Sequence, residues 1–254
     1  MTLGVLYGVG VGPGAPDLVT LRAVNVLRTV PVIAIPRRSP LSPSLAWEIV
    51  KLSVGDVAGQ ERLFLTFPMT KDPELLRPAW QVALSEIGVR LERGLSVAFV
   101  TEGDPFVYST FIYLLREARR RWPGLCVEVV PGVSSITAVP AAAGVPVADG
   151  LERVAILPAT YGVDDLCQVL EAFDTTILMK VGSVMPAVVE AVERRGLLGR
   201  AVYVSKATTR SERIVRDLRE IRNDGCDYFS SVVVARRDRS GVLAGAGSEE
   251  ETAG

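Results

Sequence analysis

Histidine is absent from this chain of 254 residues. Imidazole is the commonest general base and the commonest transition-metal ligand in proteins, so its absence argues against most histidine-dependent and metal-dependent chemistry. Cysteine is scarce as well: Cys126, Cys167 and Cys226 are widely spaced and form no C-x-x-C pair, which argues against a zinc or redox site. We therefore predict that the protein binds no metal ion.

An excess of charge of either sign is also lacking. The chain has 28 Lys and Arg residues against 29 Asp and Glu residues, which argues against a nucleic-acid partner. No run approaches the roughly 20 apolar residues that span a membrane. The N-terminus enters an apolar segment without a charged leader, so we read no signal peptide. These features predict a cytoplasmic protein with no membrane partner.

Apolar residues, in contrast, make up 48% of the chain, enough for a sizeable core. Short apolar runs alternate with amphipathic stretches, and this order predicts a doubly wound α/β domain with a mainly parallel sheet. The predicted strands of this first series are residues 3–9, 30–35, 62–67, 95–100 and 127–130. The predicted helices are residues 16–27, 44–52, 73–91 and 108–122.

A second series follows Ala148-Asp149-Gly150, and the segment Gly144-Val145-Pro146 is the predicted domain junction. Its strands are predicted at residues 153–157, 175–179, 201–204 and 229–235, and its helices at 164–172, 184–195 and 212–222. Arginines at 210, 213, 216 and 219, in and just before the last helix, recur every three residues, which predicts one solvated face. We therefore expect an N-terminal α/β domain at 1–145, a C-terminal α/β domain at 146–240, and a disordered tail at 241–254.

Three glycine-containing loops follow predicted strands of the first series. They are Gly8-Val9-Gly10-Val11-Gly12-Pro13-Gly14, Gly103-Asp104-Pro105 and Pro131-Gly132-Val133-Ser134-Ser135. Ligands of open α/β sheets bind at such strand exits, and glycine lets the backbone approach a bound molecule closely. Taken singly, Gly-Asp-Pro also makes ordinary turns, and Ser134 and Ser135 also suit helix capping.

The first loop admits a dinucleotide-binding alternative. Gly10-x-Gly12-x-x-Ala15 fits a relaxed form of the fingerprint, and Arg37-Arg38 after the second strand would suit a 2′-phosphate, so an NADP-dependent reductase is one hypothesis. However, Pro13 and Pro16 lie where the phosphate-binding helix should begin, which favours a ligand loop that does not bind pyrophosphate. A cofactor-binding sensor is the non-enzyme alternative.

The order of the three loops resembles the tetrapyrrole methylase family. The match runs from Gly-x-Gly-Pro-Gly through Gly-Asp-Pro to Pro-Gly-Val-Ser-Ser and covers residues 3 to about 235. Within the family, Thr-Glu-Gly-Asp-Pro-Phe-Val-Tyr-Ser-Thr at 101–110 and Lys180-Val181-Gly182 are similar to one branch. That branch methylates C20 of precorrin-2 or of its cobalt form (cobalt-precorrin-2, cobalt-factor II) in cobalamin biosynthesis. Methylation of another tetrapyrrole carbon, or of a protein side chain, is the alternative on the same fold.

This resemblance implies two α/β domains with an active-site cleft between them, S-adenosylmethionine bound in the cleft, S-adenosylhomocysteine as product, and a homodimer. Carried over by position, it implies cofactor contacts from the three loops and, through backbone groups, from two residues of the second domain. These predicted contacts are Pro13, Glu102, Gly103, Asp104, Val107, Ser134, Ser135, Val181 and Ala207.

The chemistry that the resemblance implies needs no covalent intermediate, because the sulfonium already activates the methyl group. This agrees with a chain that lacks histidine. A proton must leave the ring carbon, and Glu102, Asp104, Tyr108 or a water are the open candidates for its acceptor. Family members commonly have an aspartate after Gly-Pro-Gly, whereas this chain has Ala15, so no substrate-binding carboxylate is expected there. Arg37 and Arg38 are candidates for holding substrate carboxylates.

Overall fold

The computed structural model describes residues 2–68, 70, 72–221 and 227–237. These residues form two compact units, which divide between Ser135 and Ile136. The domain ranges 1–145 and 146–240 stay a prediction. The predicted tail at 241–254 lies outside the described residues, as does Cys226.

The first unit is an α/β layered structure. Its strands, within the described residues, are β1 (Leu6–Gly10), β2 (Val32–Arg37), β3 (Glu61–Thr66), β4 (Val97–Thr101) and β5 (Val127–Val130). Its helices are α1 (Leu21–Thr29), α2 (Leu45–Ser53), α3 (Pro73–Glu92) and α4 (Phe111–Arg121). Each predicted strand and helix of the first series therefore has a counterpart in the structure.

The sheet of this unit is parallel, with the strand order β3-β2-β4-β1-β5. In its register, Gly10 of β1 lies beside Thr101 of β4, and Val9 lies beside Val130 of β5. Parallel strands all end at the same edge of a sheet, so the segments that follow β1, β2, β4 and β5 emerge together. The prediction of a parallel sheet is confirmed.

Helices cover both faces of this sheet, which accounts for the nearly continuous apolar character of its central strands. On one face, Ile87 of α3 and Phe111 of α4 pack with Phe99 of β4. On the other face, Val50 of α2 packs with Ile33 of β2. The core therefore lies in two layers that hold the strand ends rigidly.

The second unit is also α/β, and its sheet is mixed. Its elements, within the described residues, are α5 (Ser135–Ala143, which begins at the last residue of the first unit), β6 (Val154–Pro158), α6 (Val163–Ala172), β7 (Thr175–Met179), α7 (Met185–Arg194), β8 (Ala201–Ser205), β9 (Arg213–Val215) and β10 (Ser230–Ala235). The strand order is β6-β7-β10-β8-β9, with β6 and β7 parallel and the other neighbours antiparallel. Helices α6 and α7 pack on one face, and α5 packs on the other.

The helix predicted at residues 212–222 is wrong. Residues Arg213–Val215 form β9, which pairs with β8 so that Val215 lies beside Tyr203. A 3₁₀ helix, Leu218–Glu220, follows Asp217, whose carboxylate accepts a hydrogen bond from Arg219 N. Pairing with a sheet edge overrides a local arginine pattern, so the arginines do not share one helix face. Arg222 lies outside the described residues.

The helix predicted at residues 16–27 begins later than expected. Pro16–Leu18 is a 3₁₀ turn, and α1 starts only at Leu21. Thr20 is the residue that starts α1, because its Oγ1 accepts a hydrogen bond from Ala23 N at 3.2 Å.

No helix within the described residues is both long and apolar enough to cross a membrane.

Candidate functional site

The first and second glycine loops are bonded to each other where they leave β1 and β4. Gly103 N donates to the carbonyl oxygen of Gly12 at 2.7 Å, and Gly12 N donates to that of Gly103 at 3.3 Å. Both glycines have left-handed backbones, with φ of +80° at Gly12 and +67° at Gly103. A side chain at either position would be strained, so the pairing requires glycine.

The third loop packs against Gly10 and Gly103 so closely that an added Cβ would not fit. A Cβ added at Gly10 would lie 2.6 Å from the carbonyl oxygen of Gly103 and 2.7 Å from Gly132 N. A Cβ added at Gly132 would overlap the Gly103 carbonyl oxygen and lie 2.9 Å from Gly10 Cα. Three backbones from three strand ends thus meet in direct contact at the carboxyl edge of the first sheet.

Asp104 holds the second and third loops together through both carboxylate oxygens. Oδ1 accepts a hydrogen bond from Phe106 N at 2.8 Å, within its own turn. Oδ2 accepts one from Gly132 N at 3.0 Å, across to the third loop. Hydrogen bonds from backbone N–H groups to a carboxylate are stronger than neutral ones, so Asp104 fixes the relative position of the two loops.

Glu102, its neighbour, is directed towards α2 instead. Its Oε1 accepts a hydrogen bond from Ala46 N at 3.2 Å, while Ser44 Oγ accepts one from Trp47 N at 3.4 Å. The negative charge therefore lies at the N-terminus of a helix, where it stabilises the helix dipole. The second oxygen, Oε2, accepts no hydrogen bond from a described residue.

A buried pair of hydroxyl groups flanks the second loop, Gly103-Asp104-Pro105. Thr101 Oγ1 and Ser109 Oγ lie 3.0 Å apart, and Ser109 Oγ also accepts a hydrogen bond from Phe111 N at 3.1 Å. Between them, Tyr108 has a left-handed backbone with φ of +49°, which is uncommon for a residue with a side chain. This conformation ends the turn and delays the start of α4 to Phe111 rather than residue 108.

In the second unit, two strand exits are built alike on either side of β10. Lys180, after β7, and Lys206, after β8, both have left-handed backbones, with φ of +58° and +47°. Val181 N donates to the carbonyl oxygen of Ser230 at 3.3 Å, and Lys206 N donates to that of Phe229 at 2.8 Å. The backbones that follow both lysines are therefore anchored to the beginning of β10.

A family model described as Tetrapyrrole (Corrin/Porphyrin) Methylases matches residues 5–221 of this chain. The chain belongs to the tetrapyrrole methylase family. The three loops described above, and the strand exits of the second unit that flank Lys180 and Lys206, all lie within the matched residues.

Curated members of the family resemble this chain over nearly its whole length. The cobalt-precorrin-2 C(20)-methyltransferase of Salmonella typhimurium is 33% identical over 236 residues, 92% of this chain and 97% of that protein. A probable enzyme of the same name from Methanocaldococcus jannaschii is 37% identical, with the same shares covered. The precorrin-2 C(20)-methyltransferase of a Sinorhizobium species is 30% identical over 91% of this chain and 95% of its own.

Solved structures of other tetrapyrrole methylases have the same fold. A cobalt precorrin-4 methyltransferase aligns with a TM-score of 0.67 at 24% identity, over 91% of this chain and 94% of its own. The uroporphyrin-III C-methyltransferase of Thermus thermophilus, in complex with S-adenosylhomocysteine, aligns at 0.66 and 23% identity, over 91% of this chain and 97% of its own. The predicted family and fold class are therefore confirmed.

The structure brings four of the predicted cofactor contacts of the first unit close together: Glu102, Gly103, Asp104 and Ser134. Glu102, Gly103 and Asp104 are consecutive, and Asp104 accepts a hydrogen bond from the third loop. A Cβ on Gly103 would lie 3.9 Å from Ser134 Cα. Pro13 and Ser135 belong to the first and third loops, and Val107 follows Asp104 by three residues along the chain. Val181 and Ala207 lie in the second unit, each directly after one of the two left-handed lysines. Their contacts with a cofactor stay a prediction.

Sequence reasoning missed the residues that hold these loops in place. Gly10 and Gly132 are needed for contact between loops, and Thr101 and Ser109 form the buried hydroxyl pair. The signal for Ser109 was present, because a serine two residues before a helix commonly accepts a backbone hydrogen bond. The signal for the glycine contacts was not, because it depends on which strands are neighbours.

The dinucleotide alternative is not favoured by the structure. That hypothesis needs a helix to begin within the first glycine loop, so that its N-terminus meets a pyrophosphate. Here α1 begins only at Leu21, after the 3₁₀ turn at Pro16–Leu18.

Among the described residues, no group of three or more His, Cys, Asp or Glu side chains could hold a metal ion.

Proposed function

We propose that this protein transfers a methyl group from S-adenosylmethionine to C20 of precorrin-2 or cobalt-precorrin-2. The observation that carries the proposal is full-length similarity to three relatives with that name, which extends over 91–92% of this chain. Both compact units are therefore included in the similarity, rather than a shared cofactor-binding segment alone.

The first unit offers groups that suit S-adenosylmethionine. The cofactor carries hydroxyl and amino donors and a positive sulfonium, which call for oxygen acceptors and a close backbone approach. Glu102 Oε2 is such an acceptor, since only Oε1 is used by Ala46 N. The loops around Gly10, Gly103 and Gly132 have no side chain between their backbones. When bound, the cofactor supplies an electrophilic methyl group.

The contribution of the chain to the reaction is positioning. Strand ends that are fixed by the Gly12–Gly103 bridge and by Asp104 hold their backbone groups in one geometry. Such fixed geometry lowers the entropy that is lost when the reacting groups are aligned. Both oxygens of Asp104 accept hydrogen bonds from backbone N–H groups, which supports a role for that residue in loop positioning.

Mass spectrometry after incubation with precorrin-2, with and without cobalt, tests the proposal. We expect the gain of one methyl group in place of one hydrogen, in the presence of S-adenosylmethionine. Use of a donor with a ¹³C-labelled methyl group, followed by NMR of the product, would place the new methyl group at C20. No methyl gain on either substrate, or labelling at another ring carbon, would overturn the C20 assignment.

Calorimetry separates this proposal from the reductase alternative. We expect S-adenosylmethionine and S-adenosylhomocysteine to bind and NADPH not to bind.

The assembly is proposed to be a homodimer, which light scattering would detect as twice the mass of the chain. A cytoplasmic location stays a prediction of the sequence.

A further inference from the structure

Arg37 lies at the edge of the first sheet where the glycine loops emerge. It is the last residue of β2, and β2 pairs in parallel with β4, so that Ala34 lies beside Phe99. The segment after β4 is the Glu102–Asp104 corner. Because parallel strands end at the same edge, Arg37 borders the same strand-exit region as the predicted cofactor loops.

The guanidinium group of Arg37 is held in place but is not fully bonded. Its central carbon lies 5.0 Å from the centre of the Phe64 ring, a cation–π contact from the neighbouring strand β3. Its Nε–H is buried and has no hydrogen-bond partner among the described residues. Because Nε is enclosed by the protein, a carboxylate that arrives from outside would meet the terminal Nη groups of the guanidinium.

Arg62 is a second arginine that lies over an aromatic ring on the same face of the sheet, and its charge is paired. Arg62 of β3 lies 4.9 Å from the centre of the Trp47 ring and forms an ion pair with Asp56. In the register of the sheet, Ile33 lies beside Arg62 and Arg37 lies beside Thr66, so the two arginines share a face and occupy opposite ends. Within the part of the chain that the structure describes, Arg62 has a carboxylate partner and Arg37 has none.

We propose that Arg37 binds a carboxylate of the tetrapyrrole substrate, and the proposal rests on the function proposed above. A guanidinium group presents parallel N–H donors that match the two oxygens of a carboxylate. The contact with the Phe64 ring restrains the guanidinium group in advance, which lowers the entropy lost on binding. The substrate carries several carboxylates, and Arg37 selects the orientation in which one of them reaches the end of β2.

Steady-state kinetics of Arg37→Met and Arg37→Lys with precorrin-2 test this inference. We expect Arg37→Met to raise KM about 10- to 100-fold, because a hydrogen bond to a charged group contributes about 1.5–3 kcal/mol. Arg37→Lys keeps the charge and loses the fork, so it should give a smaller rise. The Kd of S-adenosylhomocysteine should stay unchanged in both variants, which a general loss of structure would not allow.

The matched control is Arg62→Met, which removes the same kind of stacked arginine at the other end of the sheet. It should lower stability and leave KM for precorrin-2 unchanged. A KM for Arg37→Met within twofold of the unmodified protein would overturn the role of Arg37. If that variant is active on precorrin-2, the proposed function survives, whereas an unmodified protein that does not methylate precorrin-2 refutes the proposed function itself.

A measurement on the unmodified protein does not depend on the folding of any variant. Phenylglyoxal reacts with arginine side chains, and peptide mass spectrometry locates the adducts. We expect precorrin-2 to slow the modification of Arg37 at least several-fold while leaving that of Arg62 unchanged. Equal rates at Arg37 with and without precorrin-2 would overturn the proposal.

Discussion

At the scale of single residues, the site depends on positions that carry no side chain. Gly10, Gly103 and Gly132 come from three different strand ends and leave no space for a Cβ between Gly10 and Gly132. Asp104 then joins two of the loops through hydrogen bonds from backbone N–H groups. The glycine pattern therefore reflects contact between loops, as well as any approach to a ligand.

Gly132→Ala tests this contact directly. The added methyl group overlaps the carbonyl oxygen of Gly103, so we expect a loss of about 1–3 kcal/mol in the free energy of unfolding and weaker binding of S-adenosylhomocysteine. Urea denaturation and calorimetry measure the two effects. The control is Gly124→Ala, where no atom lies within 4 Å of the added Cβ. Equal stability of the two variants would show that the loops do not depend on this contact.

At the scale of elements, the arginine-rich segment near residue 213 shows how a sheet edge decides secondary structure. A helix was predicted at residues 212–222 with its arginines on one face, yet Arg213–Val215 is a strand paired with β8. The decisive partner, Tyr203, is close in space and is separated from Val215 by a turn. Local spacing carries no information about such pairing.

Alternate residues of this strand should respond differently to truncation. Val215 is buried in the core beside Tyr203, whereas Ile214 points to the other face and is 37% exposed. We expect Val215→Ala to lower the free energy of unfolding by about 1–3 kcal/mol and Ile214→Ala by less than about 1 kcal/mol. Urea denaturation of both variants measures this. Equal losses would contradict the strand assignment.

A buried carboxylate fastens three strand ends of the second sheet. Asp174, just before β7, accepts hydrogen bonds from Arg153 N at 2.9 Å and from Arg237 Nε at 2.6 Å. These bonds, the backbone bond foremost, lower the pKa of Asp174 from 3.8 to about 2. Arg153 precedes β6 and Arg237 follows β10, so the carboxylate holds the edge opposite to Lys180 and Lys206.

The shift predicts a particular dependence of stability on pH. A carboxyl group with a lowered pKa in the folded state stabilises the protein above its unfolded value near 3.8, and this contribution is lost as the pH falls towards 2. We expect Asp174→Asn to be less stable than the unmodified protein at pH 6, with a difference that shrinks between pH 4 and 2. Asp165→Asn, at an exposed carboxylate, is the control. A constant difference across that range would contradict the assignment.

At the scale of the whole molecule, the similarity to other tetrapyrrole methylases extends through both compact units. Each unit contributes strand exits that are fixed by hydrogen bonds and by left-handed backbones: the Gly12–Gly103 pair in the first, and Lys180 and Lys206 in the second. Such conformations are uncommon for residues with side chains and persist where the surrounding structure holds them.

If both sets of exits contact S-adenosylhomocysteine, hydrogen exchange should slow in both units when it binds. We expect increased protection in peptides that contain Gly103 and in peptides that contain Val181 and Ala207, measured by mass spectrometry at a saturating concentration. NADPH at the same concentration is the control and should change neither. Protection confined to the first unit would remove Val181 and Ala207 from the site.

The sequence by itself determined most of the elements of the fold and the family. The strands predicted at 127–130 and 175–179 coincide with β5 and β7, because short runs rich in β-branched residues favour strands. The order of the three glycine loops identified the tetrapyrrole methylases, because each loop follows its strand directly along the chain.

Only the tertiary structure decided which groups meet. The contact of Gly132 with Gly103 and the contact of Arg37 with Phe64 join elements that are distant along the chain, whereas β9 pairs with β8 across a single connecting segment. Local propensity acts over a few residues, whereas strand order brings together residues separated by tens of positions. For this reason the sequence indicated where the loops begin, and the fold alone showed that Asp104 holds two of them together.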